Sequence, residues 1–229
     1  MLYDTRTLAF ICELFHPPQQ TIDATRIQSI HNELFASPRT GYRNFNFTQG
    51  GVVLSNPLAN PSANSSFLVS SDRLRLTEEL TEVALDDFIA RMELVLKLSL
   101  QRLEIPIFTA CQVSVRSLVN PRQFRDARDY LTKGMFRFSD DDLAPFGRPC
   151  QMLGLKLVFP QPAGEKGFYS LRIESWNNDP RSVYMENVGT FTGVVAAAEV
   201  ASYAECVRAT YAFLTDRAVE FLARFDRSV

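Results

Sequence analysis

The sequence predicts an α+β protein in which long helices cover one face of a mainly antiparallel sheet. Several short segments alternate apolar and polar residues, as half-buried strands do, and two long segments carry apolar residues at helical spacing. The chain has 229 residues, 46% hydrophobic and 22% charged, which is the composition of an ordinary globular protein with a substantial core.

The first half of the chain, residues 8–103, predicts a strand, a helix, two stretches of sheet and a long helix. Their ranges are Leu8–Phe15, Asp23–Phe35, Tyr42–Ser55, Phe67–Leu76 and Leu85–Leu103. Gly50 and Gly51 predict a bulge or bend inside the third segment, because glycine interrupts a strand pattern at such points. The stretch Asn56–Ser66 is dense in Asn, Pro and Ser and predicts a loop.

The second half, residues 107–225, repeats this order of elements. Its predicted strands and closing helix are Cys111–Val119, Leu153–Phe159, Tyr169–Ile173, Val183–Phe191 and Ala196–Phe225. A helix starting at Asn120-Pro121 is expected after the first strand, because Asn caps helices well and Pro fits the first helical position. The turn between the second and third strands covers Pro160–Gly167. We therefore expect one domain, residues 1–229, built from two similar halves.

The closing helix is predicted to bury one stripe of side chains at helical spacing. The stripe consists of Tyr203, Cys206, Thr210, Phe213, Arg217 and Phe221.

Short motifs spread over most of the chain resemble a large, sporadically distributed family of uncharacterised bacterial and archaeal proteins. These motifs are Gly41-Tyr42, Ser71–Leu76 leading into the Phe88–Leu103 helix, Val113–Arg116 with Asn120, and the strand pair Leu153–Phe159 and Phe168–Ile173. More loosely, a doubled strand-helix-strand-strand unit is similar to the GyrI-like effector-binding domains. That resemblance implies small apolar or cationic ligands held in a groove between two halves.

Charge and hydropathy exclude several classes of function. The net charge of −2, from 24 basic and 26 acidic residues, creates no field that would attract nucleic acid or an anionic membrane. The first 15 residues contain a short apolar run without a small-residue cleavage site, and no segment has about 20 uninterrupted apolar residues. We expect a cytoplasmic protein that binds neither membranes nor nucleic acid.

No pattern in the sequence predicts a cofactor, a metal site or a catalytic residue. His16 and His31 lack spaced ligand partners, and four cysteines lie far apart without a C-x-x-C pair. We expect these cysteines, Cys12, Cys111, Cys150 and Cys206, to be reduced and buried. Glu78, Glu79 and Glu82 precede the long helix and are interpreted as favourable charge near its N-terminus.

The most informative polar residues lie on predicted strands. Because side chains alternate between faces, two groups of three should project from the face opposite the helices. These residues are Gln112, Ser114 and Arg116, and Arg172, Glu174 and Trp176. Trp and Arg are enriched in ligand grooves and partner patches, so a binding surface is one interpretation. A solvated sheet face with cross-strand Arg–Glu pairs is the other.

Three functions follow as hypotheses. The first is a non-enzymatic binding module that holds a small molecule or a protein surface on these residues, with homodimerisation left open. The second is a protein-interaction component of a bacterial defence, toxin-neutralising or phage-related system, suggested by the distribution of the family that the chain resembles. The third is an enzyme that uses carboxylates such as Glu13 or Glu174 as acid or base.

Overall fold

Nine strands pair into one antiparallel sheet in the computed structural model, which describes residues 3–19, 23–164, 167–196 and 199–227. The strands are β1 Arg6–Phe15, β2 Asn44–Thr48, β3 Gly51–Ser55, β4 Asn64–Val69, β5 Arg73–Glu79, β6 Ile107–Val119, β7 Gly154–Phe159, β8 Phe168–Ser175 and β9 Val183–Ala196. Together with the helices, this sheet confirms the predicted α+β class.

Three long helical segments pack against one face of the sheet. The helices are α1 Ala24–Ala36, α2 Leu85–Leu103, α3 Ala127–Asp129, α4 Asp140–Leu143, α5 Val200–Ala212 and α6 Val219–Ala223. A π-helix, Tyr130–Phe136, extends α3, and a second, Phe213–Ala218, joins α5 to α6. In the residues described, no helix combines the length and the apolarity that a membrane crossing requires.

Aromatic contacts fix the helices to the sheet. Phe10 of β1 stacks on Phe88 of α2 with ring centroids 5.1 Å apart, and Phe108 of β6 meets Tyr203 of α5 edge to face at 5.6 Å. All four rings are buried. Removing a fully buried side chain of this size from water contributes about 2–3 kcal/mol, so these contacts account for a large part of the stability of the helix layer.

The strands β1 and β6 occupy the middle of the sheet and pair with each other from Arg6↔Leu118 to Phe15↔Ala110. From this pair the order continues as β5-β4-β3-β2 on one side and β9-β8-β7 on the other. The two predicted halves are therefore joined by hydrogen bonds along a continuous sheet. A duplication of one unit stays a prediction, since strand order alone does not establish a repeated ancestor.

The segment predicted as one bent strand is instead a tight hairpin. The strand β2 ends at Thr48, β3 begins at Gly51, and these two residues are paired. Gly51 has φ 135°, and a Cβ added there would lie 2.2 Å from the carbonyl oxygen of Val69. Glycine is needed at this position because only glycine combines that backbone conformation with so close an approach.

The helix predicted at Asn120-Pro121 begins later, at Ala127, so that prediction is wrong. The backbone N–H groups of Arg122 and Gln123 donate to the Asp226 carboxylate at 2.7 and 2.9 Å, which holds this segment outside a helix. Asp126 provides the cap, accepting the N–H of Arg128 at 2.7 Å. Asp126, directly before the first residue of α3, therefore takes the capping role that was expected of Asn120.

The closing helix has a different buried stripe from the one predicted. Tyr203 and Thr210 are buried as expected, but further along the buried residues are Leu214, Ala218 and Leu222. The shift by one residue already holds in α5, where Val207 is fully buried and the predicted Cys206 is half-buried, and it continues through the π-helix Phe213–Ala218. Residues 197 and 198 of the predicted helix start, like residues 165 and 166 of the predicted turn, lie outside the described residues.

Candidate functional site

The six polar residues predicted to share a sheet face do lie on one face, opposite the helices. Along β6 the buried residues Cys111, Val113 and Val115 alternate with the less buried Gln112, Ser114 and Arg116. In β8 the buried Leu171 and Ile173 alternate in the same way with Arg172 and Glu174, and Trp176 follows just after the strand. We call this surface the polar sheet face.

A row of ion pairs connects five neighbouring strands across the polar sheet face. Arg116 on β6 donates through Nε to Glu186 on β9 at 2.8 Å and through Nη1 to Glu79 on β5 at 2.6 Å. Glu186 also pairs with Nη2 of Arg172 on β8 at 3.1 Å. We call Glu79, Arg116, Glu186 and Arg172 the charge ladder. Opposite charges directly across neighbouring strands stabilise a sheet, as in the pairs of Glu186 with Arg116 and with Arg172, whereas the pair of Arg116 with Glu79 spans the intervening strand β1.

Ala9 on β1 makes the longest step of the charge ladder geometrically feasible. It is paired directly with Glu79 on one side and Arg116 on the other, so β1 lies between the two charged residues. Neighbouring strands are about 4.8 Å apart, so the Arg116 side chain crosses a whole strand to reach the carboxylate. Only a small side chain in between leaves room for that contact. Ala9 is itself buried.

The remaining sequence-predicted residues extend the same surface. The Ser114 hydroxyl donates to Glu186 at 3.2 Å, and the Gln112 amide donates to the Thr190 hydroxyl at 3.2 Å. Glu174 lies 3.8 Å from Nε of Arg172. The structure therefore brings Ser114, Arg116, Arg172 and Glu174 into one network, with Gln112 bonded beside it.

Aromatic rings end the charge ladder at β8 and β9. Trp176 stacks on Tyr184 with centroids 5.0 Å apart and an interplanar angle of 13°. The Arg172 guanidinium lies 5.1 Å from the Tyr184 ring centroid and donates to its hydroxyl at 3.3 Å. Arg172 is 46% exposed, whereas Tyr184 is buried. A guanidinium held on a ring in this way is fixed in direction yet still reachable from solvent.

The charges of the network support one another electrostatically. Burial acts to lower the pKa of Arg116, but the hydrogen bond to Glu186 and the nearby negative charges outweigh it and raise the pKa above its ordinary value. The pKa of Arg172 is raised in the same way: burial acts to lower it, but the hydrogen bond to Tyr184 and the charges of Glu186 and Glu174 outweigh burial. Burial, and then the charge of Glu186, raise the pKa of Tyr184. Both arginines are therefore permanent cations here.

Sequence reasoning missed three members of this network, Glu79, Tyr184 and Glu186. Two of them could have been found from the predicted strand Val183–Phe191, because Tyr184 and Glu186 are two positions apart and their side chains therefore lie on the same face of that strand. Glu79 was interpreted as favourable charge for the following helix. The structure instead places Glu79 on β5, bonded to Arg116, and the adjacent Glu78 on the opposite face, bonded to Arg91 of α2 at 2.7 Å.

The carboxylates considered for acid–base chemistry are both paired. Glu13 lies 3.6 Å from Nε of Arg75 and 4.0 Å from Nη1 of Arg73, and Glu174 lies beside Arg172. His16 is buried with Nδ1 3.0 Å from the carbonyl of Pro17. Among the residues described, no three His, Cys, Asp or Glu side chains are arranged to hold a metal ion.

The prediction that all four cysteines are buried is wrong for two of them. Cys12 and Cys111 are buried, but Cys206 is half-buried and Cys150 is exposed. Cys150 lies between strands, in a stretch where the neighbouring Pro149 and Gln151 are exposed as well, so it does not reach the core. None of the four forms a disulfide bond with another described residue.

The clefts compared in the described part of the chain are not built from the predicted site residues. One of about 430 Å³ borders Glu78 and Arg91, and one of about 250 Å³ borders Cys111 and Tyr203. Of five clefts compared, none takes a lining residue from the six predicted site residues. The side chains of the charge ladder are between 16% and 46% exposed, so the polar sheet face is an open surface that solvent reaches.

Comparison with known proteins does not assign this chain to a class. No family model matches it, and no curated protein is significantly similar to it in sequence. The resemblance to the sporadically distributed family and the looser likeness to GyrI-like domains therefore stay predictions, and the argument for function rests on the geometry of the polar sheet face.

Proposed function

We propose that this protein is a non-enzymatic binding module that docks a protein partner on its polar sheet face. The observation that carries the proposal is the charge ladder, which crosses five neighbouring strands and ends in the stacked rings of Trp176 and Tyr184. Arg, Trp and Tyr are the residue types most enriched where protein interfaces concentrate their binding energy.

A protein partner suits this surface better than a small molecule. Small ligands bind in concave sites that bury 70–90% or more of their surface, whereas the polar sheet face is open. A protein surface can instead cover several strands at once, and about 800 Å² per partner is typical of a stable complex.

The chemistry of the partner follows from Arg172. Its guanidinium is the most exposed member of the charge ladder, and the Tyr184 ring and Glu186 hold it in place. Lys156 is its direct neighbour on β7. Two adjacent cations at the aromatic end of the charge ladder favour a partner that offers a carboxylate there. Opposite Arg116, whose charge Glu79 and Glu186 neutralise, uncharged hydroxyl and amide groups of the partner are favoured.

Affinity purification from the native host, with matched surface variants, tests this proposal. The wild-type chain should recover a stoichiometric protein partner, and the double variant Arg172→Glu, Trp176→Ala should lose it. Arg208→Glu on α5 is the matched control, because Arg208 is similarly exposed but lies on the helix side, paired with Asp86. Circular dichroism and thermal unfolding would verify that all variants are folded.

Two outcomes would overturn the proposal. The first is recovery of the same partner by the double variant and by the wild type, which would place the interface elsewhere. The second is failure of the wild-type chain to recover any stoichiometric partner while remaining folded. If the captured species is a second copy of this chain, sedimentation of the purified protein would show a dimer that the double variant dissociates, and the partner would be the protein itself.

A further inference from the structure

A buried carboxylate lines a cleft on the helix side of the sheet, away from the polar sheet face. Glu78 follows Leu74 and Leu76 at every second position of β5, so its side chain lies on the same face as theirs and points toward the helices. It is only 1% exposed. A charge placed at a core position is costly unless its hydrogen bonds are complete, so its partners need to be accounted for.

Only one of the two carboxylate oxygens of Glu78 is satisfied. Oε1 accepts the Ser65 hydroxyl at 3.0 Å and Nη1 of Arg91 at 2.7 Å. Oε2 is buried and makes no hydrogen bond in the part of the chain that the structure describes, and the hydroxyl of the neighbouring Tyr42 is likewise buried without a partner. Burial, and then the Glu78 charge, raise the pKa of the neighbouring Tyr42, so that phenol stays neutral. An ionised carboxylate accepts several hydrogen bonds, and this one has acceptor capacity left.

The cleft beside Glu78 has a volume of about 430 Å³ and a polar lining. Arg91, Arg43 and Thr81, whose side chains carry donor groups, are among its lining residues. Arg43 is exposed and makes no ion pair with any residue the structure describes. One carboxylate therefore faces two guanidinium groups, which leaves one uncompensated positive charge in the cleft.

The backbone beside the cleft is held in an unusual conformation. Leu80 and Glu82, on either side of the lining residue Thr81, have φ of 55° and 57°. Non-glycine residues adopt this left-handed conformation at a cost, and such residues cluster at ligand sites. Pro57 and Leu58, which are exposed in the loop between β3 and β4, also line the cleft. A ligand that contacts the buried Oε2 of Glu78 would have to displace this loop.

We propose that this cleft binds an α-amino acid, with acidic amino acids bound most tightly. The ammonium group would donate to Oε2 of Glu78, and the carboxylate would pair with Arg43 and the remaining N–H groups of Arg91. A simple anion would meet the unsatisfied Glu78 oxygen and be repelled. An acidic amino acid supplies the missing donor and carries the net negative charge that balances the cleft.

Isothermal titration of the full chain with L-glutamate, glycine and glutarate tests the proposal. L-glutamate should bind and raise the melting temperature. Glycine should bind more weakly than L-glutamate. Glutarate, which has both carboxylates but no ammonium, should bind at least about tenfold more weakly, because one charge-assisted hydrogen bond to a buried group is lost.

Two variants assign the contacts. Glu78→Gln keeps the size of the side chain and removes its charge, and it should abolish the preference for L-glutamate over glutarate. Arg43→Gln should weaken L-glutamate binding about tenfold or more without affecting the fold, because Arg43 is exposed. Arg39→Gln is the matched control, since Arg39 is an exposed arginine four residues away that does not line the cleft. It should bind like the wild type.

Four results would each overturn the proposal. The first is the absence of heat and of any melting shift with L-glutamate at millimolar concentration. The second is equal binding of L-glutamate and glutarate, and the third is equal weakening by Arg39→Gln and Arg43→Gln. The fourth is a crystal structure grown with L-glutamate in which only a water molecule contacts Oε2 of Glu78. These outcomes do not depend on the docking of a protein on the polar sheet face.

Discussion

The coupling between Arg116 and Glu186 measures how far the charge ladder stabilises the fold. A double-mutant cycle with Arg116→Met and Glu186→Gln isolates this pair, whose Nε–Oε1 distance is 2.8 Å. The side chains are 29% and 16% exposed, so the pair lies between a surface ion pair, worth about 0.2–1 kcal/mol, and a buried charged hydrogen bond, worth about 1.5–3 kcal/mol. We expect a coupling of about 1–1.5 kcal/mol.

The assay is urea unfolding, which leaves the ionic strength unchanged, repeated in about 1 M NaCl, where the screening length falls to about 3 Å. Arg224 and Glu220 are the control pair: their distance is similar, 2.9 Å, but they are 66% and 52% exposed at i,i+4 spacing on α6. Their coupling should be about 0.3–0.5 kcal/mol and should fall further in salt. A ladder coupling no larger than that of the control would refute the reasoning that partial burial strengthens the pair.

Three further predictions concern stability and reactivity. Gly51→Ala should lower the free energy of unfolding by at least about 2 kcal/mol in urea titrations, because its backbone conformation and the neighbouring carbonyl exclude a Cβ, and an unchanged midpoint would contradict this. In the native protein Cys150 should react with a thiol reagent within minutes, whereas Cys111 should stay protected, because hydrogen bonds to other cysteines, and then burial, raise its pKa. Equal rates of reaction would disprove the assigned exposure. The hydrogen bond from Arg128 lowers the pKa of Asp126, so the stability that Asp126 adds is complete above about pH 4 and declines as pH falls toward the folded-state pKa. Asn still caps the helix, so Asp126→Asn should remove only the ion pair with Arg128, at a cost of about 0.2–1 kcal/mol at neutral pH. This cost should shrink as the pH falls below about 4, and a cost that does not change with pH would be inconsistent with this cause.

Local patterns predicted the elements of this fold well because side-chain alternation is a property of each strand alone. The alternation in β6 placed Arg116 on the correct face, and that in β8 placed Arg172 there too. The long stripe of α2 likewise predicted a buried helix face, with Phe88 in it. Errors arose where a neighbour distant in sequence decides the local backbone, as Asp226 does for the segment before α3.

The charge ladder depends on pairings that no local pattern contains. Arg116 and Glu186 are 70 positions apart, and they meet only because β9 pairs with β6. The reach of Arg116 to Glu79 further requires that Ala9 of β1 lie between them. A shift of register by one residue would turn every one of these side chains to the opposite face, so the network is a product of the whole sheet.

The sequence by itself determined the class of fold, most of the segments that become strands and helices, and the face on which strand residues such as Arg116 and Arg172 lie. These follow from the period of the apolar residues, which the burial of one face imposes locally. Only the tertiary structure decided which strands are neighbours, that Glu78 is a half-satisfied buried carboxylate while Glu79 joins Arg116, and that the polar sheet face is open. Strand order and register depend on packing summed over the entire chain, and the contacts that carry both proposals are made between residues that this packing brings together.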